Sequence, residues 1–323
     1  MDKQIIKTAR RDMNRVGVTM LVYYALMNVV ATLVLIVDMI GYLIRLLVNG
    51  QSLDPDAMIQ YVMDGAMNNG WMYIVSIAIG LLIVFFWKGK GYWRNEVFVR
   101  NNPMTPGSFF SLLCVFLSAQ FVFQLFAIAL EWLLNMIGFS AMTAVEMAST
   151  TGSTFSMFLY VCFIGPIAEE LLFRGIVLRT LKPWGKQTAI LISALVFGLF
   201  HGNVVQIPFA FAVGVVLGYV AVEYSIVWAI VLHVINNFVM ADLLTRLLEI
   251  LPEGISILLE NGIFLAAAVA AVAVLIVRRK EVAAYLKENR VSRPARKGAL
   301  TSVALIVFTV LMLLTSLLTI TPL

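Results

Sequence analysis

Six residues in an otherwise apolar chain have the types and spacing for joint acid–base chemistry. Glu169 and Glu170 are adjacent, with Arg174 one turn on, in Gly165-Pro166-Ile167-Ala168-Glu169-Glu170-Leu171-Leu172-Phe173-Arg174. His201 closes Phe197-Gly198-Leu199-Phe200-His201 and His233 opens His233-Val234-Ile235-Asn236-Asn237; the chain's 2 histidines are these. A carboxylate in a dry site has its ionised form disfavoured and becomes a better base toward a bound water. A neighbouring imidazole can orient that water or shuttle its proton. A second imidazole and an amide NH₂, four residues apart on one helix face, can donate hydrogen bonds to an oxyanion. Glu170 and Arg174, also four apart, make a buried ion pair that holds the helix rather than reacts. Glu169 is turned by about 100° from Glu170, so the two carboxylates need not share a job. Pro166 removes the backbone bond to the Cys162 carbonyl and is expected to kink the helix. The combined chemistry is hydrolytic acyl transfer at an amide.

The elements that must position these groups are membrane helices. The chain has 323 residues, 61% hydrophobic and 13% charged, with a mean hydropathy of +0.95. No soluble domain hides that much apolar surface, so the composition describes an all-α, polytopic membrane bundle. Apolar runs lie near 16–48, 71–87, 108–137, 154–181, 187–203, 206–223, 226–250, 260–277 and 299–320. That predicts eight to nine spans, eight if one run is re-entrant, around an intramembrane catalytic cavity. The first run is too long for a signal-peptide core and reads as a helix that stays. Cys114 and Cys162 sit inside apolar runs, which argues against a disulfide framework.

Loop charge sets the expected orientation. Lys and Arg fill the N-terminus, 88–100, 179–186 and 278–297, whereas 49–70, 138–153 and 251–259 have none and carry Asp54, Asp56, Asp64, Glu146 and Glu253. The positive-inside rule then places the N-terminus in the cytoplasm. Short loops and the lack of organelle signals point to a prokaryotic plasma membrane. The net charge of +5 reflects this loop asymmetry, not affinity for nucleic acid. The basic segment near 278–298 is expected to be a cytoplasmic amphipathic helix or loop, and Gly214 with Gly218 a close helix contact. Three parts follow: 1–153 with about three N-terminal spans, 154–240 as the catalytic core, and 241–323 as C-terminal spans.

Depth ties the motifs to one layer. At about 1.5 Å per residue, Glu169 lies about 20 Å from Lys182 and His201 about 22 Å from Lys186. Asn237 and His233 lie about 18 Å and 12 Å above the turn at 224–225. Charges at such depth cost roughly 2.5–3.5 kcal/mol each on insertion scales, which makes an intramembrane cluster functional by default.

The ordered motifs EExxxR (Glu169, Glu170, Arg174), FxxxH (Phe197, His201) and HxxxN (His233, Asn237) resemble the CAAX prenyl endopeptidase type II family, also called CPBP or ABI. The resemblance covers roughly 154–240 and implies an all-helical intramembrane endopeptidase with a cavity open toward the cytosol. It implies that Glu169 activates the water with help from His201, that His233 and Asn237 form the oxyanion hole, and that Glu170 and Arg174 orient the site. The expected partners are the lipid bilayer and a peptide or protein substrate, membrane-associated or lipidated proteins included. Three other readings stay open. A zinc version would use His201, His233 and Glu169 as ligands; the metal-free site is preferred because there is no HExxH and Asn237 and Arg174 have natural roles without a metal. A transporter or scaffold would relay protons or ions through Asp38, Gln120, Gln124, Glu131, Glu223 and Asp242, and a non-catalytic immunity protein would retain the fold alone.

Overall fold

The computed structural model describes residues 2–149 and 154–323. Thirteen helices carry the described residues. They are α1 (Asp2–Val48), α2 (Pro55–Asn68), α3 (Gly70–Val97), α4 (Pro106–Asn135), α5 (Met142–Ser149), α6 (155–181), α7 (Lys186–Phe200) and α8 (Gln206–Glu223). Then follow α9 (Ile226–Leu248), α10 (Glu253–Val277), α11 (Arg279–Glu288), α12 (Arg293–Leu300) and α13 (Val303–Leu317). All nine apolar runs fall on helices, because in lipid every backbone N–H and C=O must be satisfied within its own segment. Among the described residues, 6 helices are long and apolar enough to cross a membrane, and 7 if α12 and α13, bent by 59°, count as one span. The two other expected spans are α6, interrupted by π-helical turns, and α7, which has 15 residues. Eight to nine is thus an approximate count. The expected division at 153/154 adjoins residues 150–153, which lie outside the described residues.

Helix α1 begins well before the apolar run. Its 47 residues span about 70 Å, more than twice the hydrocarbon thickness. The first half buries Ala9, Met13, Val16, Met20 and Tyr23, and packs on α3, α12 and α13. The basic segment expected near 278–298 forms α11 and α12.

The basic segments gather at one end of the bundle. Asn14 Oδ1 accepts from Ser302 Oγ at 2.9 Å and from the Ala304 N–H at 3.1 Å. Trp184 Nε1 donates to Asp12 at 3.1 Å, and Glu223 Oε1 takes both Lys186 Nζ and Tyr285 Oη at 2.8 Å. At Tyr285, burial first and the Glu223 contact second push the phenol pKa up. At the other end, β1 (Phe139–Ser140) pairs antiparallel with β2 (Thr321–Pro322). Asn203 Nδ2 also donates there to the Ala144 carbonyl at 2.9 Å.

The core that positions the motifs lies where α6, α7, α8 and α9 meet. Phe173, Phe197, Leu199 and Leu217 are buried there, with Phe308 and Met312 of α13 against them. Gly214 and Gly218 let α8 lie close on α7: a Cβ at Gly214 would stand 3.1 Å from both Ala194 Cα and Phe197 Cδ1. Gly214→Val is expected to lower stability by about 1–3 kcal/mol through overpacking. Thermal unfolding in detergent checks this, and an unchanged midpoint would refute the close-approach account.

Candidate active site

Helix α6 changes register twice around the double carboxylate. Tyr160–Ile164 and Glu170–Leu178 are π-helical, with an α-helical turn, Gly165–Glu169, between them. Pro166 sits at the first change. The Gly165 N–H donates to the Tyr160 carbonyl, five residues back. The next donor in that register would be Pro166, which has no N–H. The carbonyl left over is therefore that of Val161, not that of Cys162 as an α-helical count predicts. Asn237 Nδ2 fills it at 2.9 Å. The proline thus frees a backbone acceptor that pins the HxxxN motif to α6, and π turns of this kind recur at functional sites.

Glu170 and Arg174 are both fully buried, and Arg174 Nη1 meets Glu170 Oε1 at 2.8 Å. Arg174 Nη2 also donates to the Gly214 carbonyl at 3.0 Å, and its guanidinium stacks 4.5 Å over the Phe197 ring. Glu170 has a further partner that its i, i+4 spacing hides, because His233 Nδ1 reaches the same Oε1 at 3.0 Å. A carboxylate accepts, so Nδ1 carries the proton. The other ring nitrogen, Nε2, then faces Glu169 Oε2 at 3.6 Å. His233 therefore bridges the two carboxylates, one at hydrogen-bond distance and one slightly beyond it. A proton or a water between Nε2 and Oε2 would make that second gap attractive. Because Nδ1–H is committed to Glu170, Nε2 can donate to an oxyanion only when it is itself protonated.

His201 caps the end of α7, where Gly202 turns the chain at φ 57°. Its Nδ1 lies 2.9 Å from the Phe197 carbonyl. That makes Nδ1 the donor and leaves Nε2 as an acceptor suited to a water proton. Phe197 joins the two imidazoles: its ring is edge-on to His201, centroids 5.0 Å apart, and to His233 at 5.8 Å. Glu169 and His201 share no direct hydrogen bond among the described residues. Of the two carboxylates Glu169 is the open one, with its side chain 23% exposed while that of Glu170 is fully buried.

Asn237 does not bond to His233. Its Oδ1 instead accepts from Asn236 Nδ2 at 3.0 Å, and Asn236 Oδ1 accepts from Gln120 Nε2 of α4 at 2.8 Å. The spacing of the motifs gives Asn236 no role and places Gln120 only among the relay candidates of the transporter reading. The doubled Asn was the available sign for the first, and an amide in an apolar run for the second. Phe197 was part of a quoted motif but had no role assigned.

Among the described residues no three His, Cys, Asp or Glu side chains form a group that could hold a metal ion. Several proposed relay residues end in local contacts. Glu131 holds Ser140 and the Ala141 N–H, Glu223 holds Lys186 and Tyr285, and the buried Asp242 takes Arg246 at 2.9 Å. In the Asp242 pair only the arginine is half-exposed.

Residues 151–239 match the family model described as type II CAAX prenyl endopeptidase, Rce1-like. All three motifs fall within the matched stretch. The match implies a CAAX-type intramembrane protease in general, a hydrolase acting on a peptide or protein in a membrane setting. Searches of curated proteins and of solved structures returned no match.

Proposed function

We propose that this chain is a metal-free, glutamic intramembrane endopeptidase. The observation that carries the reading is the His233 bridge, 3.0 Å from Glu170 and 3.6 Å from Glu169, beside the one partly exposed carboxylate of the cluster. Glu169 takes a proton from a water that His201 Nε2 helps to orient, and the water oxygen bonds to the scissile carbonyl carbon. The carbonyl becomes an oxyanion held by the second Asn237 N–H and by protonated His233 Nε2. The C–N bond then breaks as protonated Glu169 returns its proton to the leaving amine. Glu170 and Arg174 stay outside the bond changes and hold His233 in place.

The depth of the motifs supports a membrane-associated or lipidated substrate. The gathering of the basic segments at one end supports a cytoplasmic N-terminus in a prokaryotic plasma membrane. Terminal-peptide proteomics on membranes carrying wild-type or Glu169→Gln protein tests the activity. New N-termini are expected only with wild type, and identical termini in both samples would overturn the reading. Cleavage by the purified protein should also persist in chelator with no zinc detected by elemental analysis; loss in chelator that zinc restores would reinstate the metal version.

A further inference from the structure

We propose that Gln120 of α4 is a positioning residue that, through Asn236, sets which end of the Asn237 amide faces the reacting carbonyl. This rests on the reading of Asn237 as an oxyanion donor. The two ends of an asparagine amide are nearly the same size, and only the nitrogen end can donate. An amide turned over at this position would present Oδ1 to the Val161 carbonyl and to an oxyanion, two acceptors against acceptors.

Two contacts select the productive sense. Asn237 Nδ2 donates to Val161 O at 2.9 Å, and Asn237 Oδ1 accepts from Asn236 Nδ2 at 3.0 Å. The second contact holds only while Asn236 keeps its own nitrogen toward Asn237. Gln120 Nε2 decides that by donating to Asn236 Oδ1 at 2.8 Å. The three amides thus form one directed chain, donor to acceptor, from α4 across α9 to the carbonyl that Pro166 leaves free on α6. With one Asn237 N–H bound to Val161, the other remains for the oxyanion. Asn236 is buried, so its amide cannot trade this partner for bulk water. Gln120 lies outside the matched segment 151–239, on a helix that carries none of the motif residues.

A double-mutant cycle tests the chain, using a peptide that spans a cleavage site identified by comparing wild-type and Glu169→Gln membranes. Gln120→Leu is expected to lower kcat about tenfold, the worth of one buried hydrogen bond, with KM unchanged. Gln120→Met, which keeps the length of the side chain but has no hydrogen-bond donor, should behave alike and covers the case in which the leucine variant fails to fold. In an Asn237→Ala background neither change should cost anything more, because the oriented group is gone. Equal losses in both backgrounds, or a fall in thermal midpoint that accounts for the lost activity, would overturn the positioning role. If Asn237→Ala is impaired but both Gln120 variants turn over like wild type, only the present inference fails. If Asn237→Ala is fully active, or wild type yields no distinctive termini, the oxyanion or protease reading fails and takes the inference with it.

Discussion

Glu169→Gln is expected to lower peptide cleavage by about 10²–10⁴-fold while leaving insertion and thermal stability unchanged. The substitution conserves shape but replaces an oxygen that can accept a water proton with an NH₂ that cannot. Little else depends on the charge. Glu169 is partly exposed, it makes no ion pair with Arg174, and His233 stays anchored by its 3.0 Å contact to Glu170. A glutamine amide can donate to His233 Nε2 at the same position, so the local packing survives. Single-turnover rates on an identified substrate, together with melting in detergent, separate the two effects. Turnover near the wild-type rate would remove Glu169 from the role of base. Loss of activity with an equal loss of folding would make it structural instead.

Arg174→Ala is expected to be the most destabilising single change at the site, by about 3–5 kcal/mol, and to abolish activity as well. Glu170 and Arg174 have no exposed side-chain surface, and Glu170 Oε2 has no hydrogen-bond partner of its own. Removing the guanidinium strands a carboxylate that only His233 still contacts. It also takes away the bond to the Gly214 carbonyl and the stack on Phe197. Most of the penalty belongs to the uncompensated charge, which a second variant can isolate. Glu170→Leu with Arg174→Leu should be more stable than Arg174→Ala alone, because no buried charge is left. It should nevertheless stay inactive, because His233 loses the acceptor that orients its ring. Thermal unfolding of the three proteins decides the point. A double variant less stable than the single one would show that the pair's net interaction, not the stranded charge, dominates.

These expectations rest on contacts of unequal legibility. Helix existence was readable because the apolar length needed to cross a bilayer is a local property; the nine runs and the nine helical stretches coincide for that reason. The Glu170–Arg174 pair was readable too, since i, i+4 neighbours meet on any helix surface, and here they do so across π-helical backbone. Close packing at Gly214 followed from the small-residue spacing alone. By contrast, the π-helical turn that ends just before Pro166 was not readable, although the proline was, because the choice of register depends on what neighbouring helices offer the freed carbonyl.

By itself, the sequence determined that this is an all-α membrane bundle and that Glu169, Glu170, Arg174, the two histidines and Asn237 fall into three ordered motifs. The chain also dictated that Glu170 and Arg174 meet, because that contact is made within one helix. Only the tertiary structure decided that His233 holds Glu170 and faces Glu169, that Phe197 lies against both imidazoles, and that Asn237 is tied to Val161 and, through Asn236, to Gln120. Apart from Phe197 on His201 and Asn236 on Asn237, which are made within one helix, these contacts join groups on different helices. Helix rotation and depth, which set them, emerge from packing the whole bundle rather than from the spacing of residues along any one stretch.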